Sequence, residues 1–480
     1  MAEKIAIVGA GVGGLSAASR LASRGFRVEV YEKLPRCGGR NNIIEDRGFK
    51  FDTGPSFVLM PDFFAEVFSY CGEDIRDYLT LKQLDVHYKI FYPDGDVLTV
   101  HKDPSRTKEE LEKFEKGSSV RYDAFLRETG GIYRAVKPLL YTCFTPWSLG
   151  NPSLWPLITK LRLNRTYWDL AARYFKSEKL CYAFTFEAMF IGVSPFQTPS
   201  FYSVITYADH IQKVSHPMGG MYQIPLALER MARKFNASFT YDTEISGIRK
   251  YKDKIILERA NGSFEADKVI VNADYSFSQK KLLNRSLRPF KYSCSAFLIY
   301  LGLKKKIPCL EHHNLFFSRD VRLNLREIFH DSVFSRDPSF YIHVPTSTDH
   351  SLAPAGKEIM YILIPVPNLE DPKEDFLSRE SDLRAGVFKK INEICSIRIE
   401  DLIETEHRFY PDDFIKRYNI QNGAAFGLSH NLLQSAFFRP ANFDAVIPNL
   451  YYVGASTQPG GGLPVVIAGS RIVADLVSAR

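Results

Sequence analysis

The chain has 480 residues, of which 45% are hydrophobic, 24% charged and 13% aromatic, and its formal net charge is +7. That length predicts two or three domains, and the composition excludes a disordered or fibrous chain. The charge excess is too small to point to nucleic acid, so no nucleic-acid partner is expected, while 36 Phe and 25 Tyr point to large apolar surfaces beyond an ordinary core.

Taken in chain order, Lys4–Val8 (KIAIV) reads as a strand and runs directly into Gly9-Ala10-Gly11-Val12-Gly13-Gly14. Leu15–Ser23 reads as a helix closed by Gly25, and Arg27–Tyr31 (RVEVY) as a second strand ending at Glu32. Strand, glycine turn, helix, strand and acid is the order that a dinucleotide site requires. Gly9 permits the tight turn, Gly11 lets the backbone approach a pyrophosphate, and Gly14 allows close helix–strand packing. The helix start offers free N–H groups to phosphates. Glu32 follows Gly9 by 23 positions, a spacing suited to gripping ribose hydroxyls. Arg36-Cys37-Gly38-Gly39-Arg40 and Phe51-Asp52-Thr53-Gly54-Pro55 suit a backbone pressed against a second part of a long cofactor.

Further on, Pro217-Met218-Gly219-Gly220-Met221 precedes a helical stretch, Leu226–Lys234. Ser238–Tyr241, Glu244–Ile248 and Ile255–Arg259 read as short strands, with Asn261-Gly262 as a turn and Val269–Val271 as a further strand ending in Asn272-Ala273-Asp274. The reading is a β-meander returning to the nucleotide sheet. At the end, Leu450–Val453 reads as a strand, Gly454–Gly462 as a glycine-rich loop, and Pro464 opens a helix to about Val477. Start, middle and end thus converge on one cofactor domain, and the intervening stretches build a second.

The seven cysteines are scattered without a C-x-x-C pair, so neither a disulfide scaffold nor a zinc site is expected, and no metal ligands are assigned. No signal peptide is visible, and the longest apolar run, Leu139–Ile158, is cut by Pro146, Gly150, Pro152 and Pro156, which argues against a spanning helix. The expectation is a soluble or membrane-surface protein of a reducing compartment.

These motifs, with His216-Pro217-Met218-Gly219-Gly220-Met221, Gly423–Gly427 (GAAFG), Gln434-Ser435-Ala436, Arg439-Pro440 and the closing run from Asn449 through Gly460-Gly461-Gly462 to Pro464, make the chain resemble the bacterial-type carotenoid desaturases, FAD-dependent amine-oxidase-like flavoproteins, over essentially its whole length. Within that family the resemblance is greatest to the hydroxycarotenoid 3,4-desaturases. It implies an α/β fold: a Rossmann-like FAD-binding domain (1–74, 216–289, 426–480), an inserted mixed α+β substrate domain (75–215 and 290–425), and a helical membrane-facing region over 133–179. The FAD contacts it implies are Gly9, Gly11, Gly13, Gly14, Glu32, Lys33, Gly38, Gly39, Arg40, Gly54, Pro55, Ser56, Ile245, Asn272, Ala273, Asp274, Gly454, Ala455, Gly461, Gly462, Leu463 and Pro464. The implied reaction turns a C–C single bond beside a polyene into a double bond, with hydride passing to flavin N5. Oxygen or a quinone would take the electrons. Family members commonly carry Thr-His-Pro-Gly where this chain has Thr457-Gln458-Pro459-Gly460, and Gln458 cannot gain charge near neutral pH. No catalytic base is assigned; Glu187, Asp209 and His210 are polar candidates whose ordinary reading is a solvated or paired group.

Tyr182, Phe184, Phe186, Met189, Phe190, Phe196, Phe201, Tyr202 and Tyr207 supply aromatic and apolar surface for a long tunnel. A carotenoid dissolves in bilayers, so a peripheral membrane location on the cytoplasmic face is expected. Residues 133–179 carry a net charge of +6 and all three Trp, at 147, 155 and 168. Four other readings are open at this stage: first a phytoene- or lycopene-type desaturase, then a carotenoid isomerase, an amine oxidase, and a non-redox Rossmann protein of the Rab-escort type.

Overall fold

A computed structural model describes residues 3–150, 152, 161 and 163–479. Its first layer is a five-stranded parallel sheet in the order Leu450–Tyr452, Lys268–Val271, Lys4–Val8, Arg27–Tyr31, Ser238–Thr240. Ile5, Ala6 and Ile7 in the central strand are fully buried, as a strand covered on both faces must be. One face is covered by the helices Val12–Ser23, Gln223–Lys234 and Leu463–Ser478, whose Leu15, Leu21, Ile224, Leu228, Ile467 and Val473 share one core. The other face packs Ala6, Val8 and Val269 against Ile245 and Leu257 of a separate antiparallel sheet, Ile245–Tyr251, Lys254–Arg259 and Gly262–Ala266. The meander expected to rejoin the nucleotide sheet is therefore split. Ser238–Thr240 forms the edge of the parallel sheet, the next three strands form their own, and Lys268–Val271 returns beside Lys4–Val8.

The second large sheet has seven strands in the order Ile403–Phe409, Ser295–Leu303, Glu358–Val366, Phe340–His343, His313–Phe316, Val86–Phe91, Val97–His101. Two of these strands come from before residue 215 and five from after residue 290. They meet where His313–Phe316 runs parallel to Val86–Phe91. Ser295–Leu303 is buried along its whole length. The helix Phe376–Cys395 covers one face through Leu383, Val387, Phe388 and Ile391. The other face meets Phe49 and Phe51 of the first half.

An aromatic cluster around the helix Ser118–Val136 and the short helices Tyr167–Ala172 and Glu178–Ala183 completes the molecule. No helix among the described residues is long and apolar enough to cross a membrane. Cys309 and Cys395 form a disulfide with Cα atoms 5.8 Å apart, whereas Cys37, Cys71, Cys143, Cys181 and Cys294 are free thiols. With its partners 86 positions apart and no motif around either, that bond is invisible in the cysteine spacing.

Candidate active site

A single cavity of about 730 Å³ runs from the glycine turn at Gly9 to a wall of aromatic side chains in the second half. Its nucleotide end is built by backbone approach. The helix Val12–Ser23 starts after Gly11 without a side-chain cap, so its first N–H groups are free for an anion. Gly38 has φ +113°, and a Cβ there would sit 2.2 Å from the Asn41 carbonyl oxygen. A Cβ on Gly14 would sit 2.2 Å from the Gly9 carbonyl oxygen. Gly14 is the one FAD-assigned residue that does not line the cavity, and its lack of a side chain lets the helix press on the strand.

Acidic groups at this end are held by the backbone. Glu32 Oε2 accepts from the Ala10 N–H at 2.7 Å and Oε1 from the Leu34 N–H at 2.9 Å, and burial raises its pKa above the usual carboxylate value. Lys33 donates to Asn419 Oδ1 at 2.9 Å, and burial lowers its pKa. Asp274 accepts from the Ser276 and Phe277 N–H groups and from Ser456 Oγ at 3.1 Å; burial raises its pKa, against the pull of nearby Arg40. Arg40 in turn donates to the Ala425 carbonyl at 2.9 Å. Asp52 is not on the cavity wall. Its carboxylate accepts from the Met221 and Tyr222 N–H groups at 2.7 and 2.9 Å, and burial lifts its pKa to about 6. It ties the Phe51–Pro55 motif to the glycine turn at 219–220.

The glycine loop near the C-terminus is held by two residues that spacing did not reveal. Arg439, 2% exposed, donates to the carbonyls of Thr457, Ser429, Gln434, Leu428 and Ala455. His430 Nε2 accepts from the Gly461 N–H at 2.9 Å, and burial keeps this imidazole well below its ordinary pKa. Arg439 belongs to the Arg439-Pro440 pair that carries part of the family resemblance and His430 to no motif, and both contacts depend on chain segments that meet only in the fold. Gln458 has no titration role. Its Oε1 accepts from the Phe144 N–H at 2.6 Å and its Nε2 donates to the Phe144 carbonyl at 2.9 Å, clamping the 137–150 segment to the loop.

Six of the nine tunnel candidates line the cavity: Tyr182, Phe186, Met189, Phe190, Phe201 and Tyr202. Phe184 stacks on Phe175 at 4.5 Å, Phe196 packs on Trp168 at 4.7 Å and Tyr207 on Tyr133 at 5.2 Å, all outside the wall. Glu187, Asp209 and His210 are buried behind the wall. His210 is held between Tyr88 and Tyr122 hydroxyls at 3.2 and 2.9 Å, and Asp209 lies 3.2 Å from His87. Phe57 and Tyr341 complete the wall, with the Tyr341 hydroxyl donating to Ser56 Oγ at 2.9 Å.

Residues 12–478 match the family described as flavin containing amine oxidoreductase. The chain belongs to this family. A zeta-carotene-forming phytoene desaturase of Myxococcus xanthus is 39% identical over 98% of this chain and 93% of its own length. A carotenoid 3,4-desaturase of Haloarcula japonica is 33% identical over 98% of this chain and 97% of its own. Among solved structures, an oxidoreductase from Methanosarcina mazei superposes with a TM-score of 0.65 at 16% identity, covering 97% of this chain and 98% of the other. Putrescine oxidase bound to putrescine reaches 0.65 at 13% identity, covering both chains fully. Within the amine oxidoreductases, the chain is thus a member of the carotenoid desaturases, an FAD-dependent oxidoreductase acting on CH–CH groups.

The glycine cradle, Glu32 and the uncapped helix start fit FAD, which when bound supplies a two-electron acceptor for hydride. The desaturase's own residues do the rest. The apolar wall excludes water and orients the substrate chain, so catalysis rests on placement. The helix Leu463–Ser478 also begins without a side-chain cap, at Gly462. Its dipole favours negative charge beside the glycine loop by about 0.3–2 kcal/mol.

Proposed function

We propose that this desaturase introduces the 3,4 double bond into a 1-hydroxylated carotenoid during carotenoid biosynthesis. A hydride and a proton leave neighbouring carbons as the double bond forms. The electron pair passes through the bound cofactor to oxygen or a quinone. The carrying observation is the continuity of one cavity from the dinucleotide cradle into an apolar, aromatic wall, which offers a polyene no ionic partner. The 3,4 reading is supported by the Haloarcula relative's name. It is also supported by Asn324, a buried cavity residue. Its Oδ1 accepts from the Ser339 N–H at 3.1 Å, while its Nδ2 has no partner among the described residues. Such an amide in an apolar wall is suited to a substrate hydroxyl. Replacing Asn324 with Leu should reduce kcat/KM for a 1-hydroxylated carotenoid at least tenfold while sparing the unhydroxylated analogue. Equal effects on both substrates would remove this assignment.

The desaturase collects its substrate at the cytoplasmic face of a membrane as a peripheral protein. Trp147, 89% exposed, is the anchor that supports this. Trp168 is not available for it, being packed on Tyr182 and Phe196 at 4.7 Å. Trp155, Lys160 and Arg162 lie outside the described residues. Part of the local positive charge is matched by acids from elsewhere: Lys137 meets Asp62, Arg173 meets Glu128, and Lys179 meets Asp94 and Asp96. Salt-sensitive flotation with anionic vesicles that Trp147→Ala weakens supports this location. Recovery of the wild type in the soluble fraction alone removes it.

A further inference from the structure

Behind the cavity, where the strand Ser215–Pro217 meets the seven-stranded sheet, four histidines are buried together: His216, His312, His313 and His343. His313 is accounted for. It stacks on Phe57 with centroids 3.7 Å apart, and its Nδ1 lies 2.6 Å from the Tyr341 hydroxyl. The other three converge differently. One ring nitrogen from each of His216, His312 and His343 lies within 4.8 Å of the other two. The Nε2 atoms of His312 and His343 are 3.0 Å apart. Both nitrogens of His216 are buried without a hydrogen-bond partner. A buried imidazole normally has at least one nitrogen satisfied, so His216 calls for something among the three rings that accepts lone pairs.

The surroundings are those of a metal site. His312 Nδ1 is 2.8 Å from Thr348 Oγ1, which leaves Nε2 as its inward-facing atom. Asp349 Oδ2 lies 3.6 Å from His216 Nε2, and its carboxylate is fixed by the Gly219 N–H and by the N–H and hydroxyl of Ser351. A carboxylate behind a ligating imidazole is the usual outer partner of a metal-bound histidine.

We propose that His216, His312 and His343 bind one divalent cation of the zinc class, through one ring nitrogen each. A trio of imidazoles suits zinc better than calcium or magnesium, which prefer oxygen ligands. The site is structural. It pins the strand Ser215–Pro217, and with it the glycine turn whose following N–H groups hold Asp52, to the ends of two strands of the substrate sheet. The cysteine spacing could not show this site, because its ligands are histidines drawn from three separate segments.

The test uses untagged full-length holoenzyme purified from zinc-supplemented cells, incubated with zinc chloride and gel-filtered into metal-free buffer. The expected result is close to one zinc per chain. Zinc-edge X-ray absorption should show nitrogen ligands at about 2.0–2.1 Å and no sulfur. His312→Gln and His343→Gln should each lower zinc content at least tenfold, while His330→Gln, at an exposed position, should not. Flavin content and circular dichroism report whether the variants fold; if either does not, the wild-type absorption spectrum decides alone. Wild type emerging without zinc would overturn the proposal. So would sulfur ligation, or zinc retained by a folded His312→Gln.

Discussion

Replacing Arg439 with Met removes the donors that hold the flavin loop while keeping most of the side chain's length. The guanidinium is 2% exposed and donates to five carbonyls on two segments, Leu428–Gln434 and Ala455–Thr457. Burial, against the opposing pull of Tyr202, brings its pKa down to about 10, so it is still charged at neutral pH. Each carbonyl left bare in the interior costs about 1–3 kcal/mol, offset by no longer desolvating a cation. With five carbonyls bared and one buried cation removed, the net loss is about 3–5 kcal/mol, at the upper end for a single substitution. Against a whole-domain stability of about 5–15 kcal/mol, that is a large share. Urea unfolding of the holoenzyme, followed by tryptophan and released-flavin fluorescence, should show flavin leaving at lower urea than global unfolding. Arg439→Lys, which cannot reach five acceptors, should recover only part of the loss. If Arg439→Met unfolded within about 1 kcal/mol of the wild type and kept its flavin, the loop would not depend on this residue and the reasoning would fail.

Three further outcomes follow from the same geometry. Gly461→Val places its Cβ 3.0 Å from His430 Cε1, so it should purify with less than a tenth of the wild-type flavin, read from the visible spectrum, while the circular dichroism of the sheet persists. Gln458→Ala loses both amide bonds to Phe144 and should cost about 1–3 kcal/mol in urea unfolding. Glu358, 3% exposed, has its pKa raised to about 7 by burial, against the Ile307 N–H it accepts at 2.7 Å. A carboxyl whose folded pKa lies above its unfolded one holds extra protons in the folded state. Its penalty is therefore absent below about pH 4.5 and full above pH 7, reaching about 3 kcal/mol. Glu358→Gln should accordingly gain stability over the wild type as pH rises through that window and show no gain below it.

The parallel sheet was legible because each strand sits next to a glycine or acid with one job. Lys4–Val8, Arg27–Tyr31, Val269–Val271 and Leu450–Val453 all fall within a residue or so of their observed strands. The meander's split was not legible: the Ser238–Tyr241 and Glu244–Ile248 runs read alike, and only tertiary pairing sends the first to a parallel edge and the second to an antiparallel sheet. The cofactor cradle was readable because close backbone approach demands glycine. The roles of Arg439 and His216 were not, although both stand in segments that carry the family resemblance, and His430, Asn324, His312 and His343 were not visible at all, since a lone polar residue in an apolar segment carries no periodic signal until the fold supplies its partners. Phe184 and Phe186 make the same point for the tunnel. Separated by one residue, one faces the core and the other the cavity.

The most direct test expresses the gene in bacteria that accumulate phytoene, lycopene, γ-carotene or their 1-hydroxy derivatives, with products identified by chromatography and mass spectrometry. The account predicts that the 1-hydroxylated carotenoids are consumed and yield products lighter by two hydrogens, with the new double bond at C3–C4. Consumption of phytoene with the hydroxylated carotenoids untouched would contradict the 3,4 assignment. Products of unchanged mass would contradict desaturation itself.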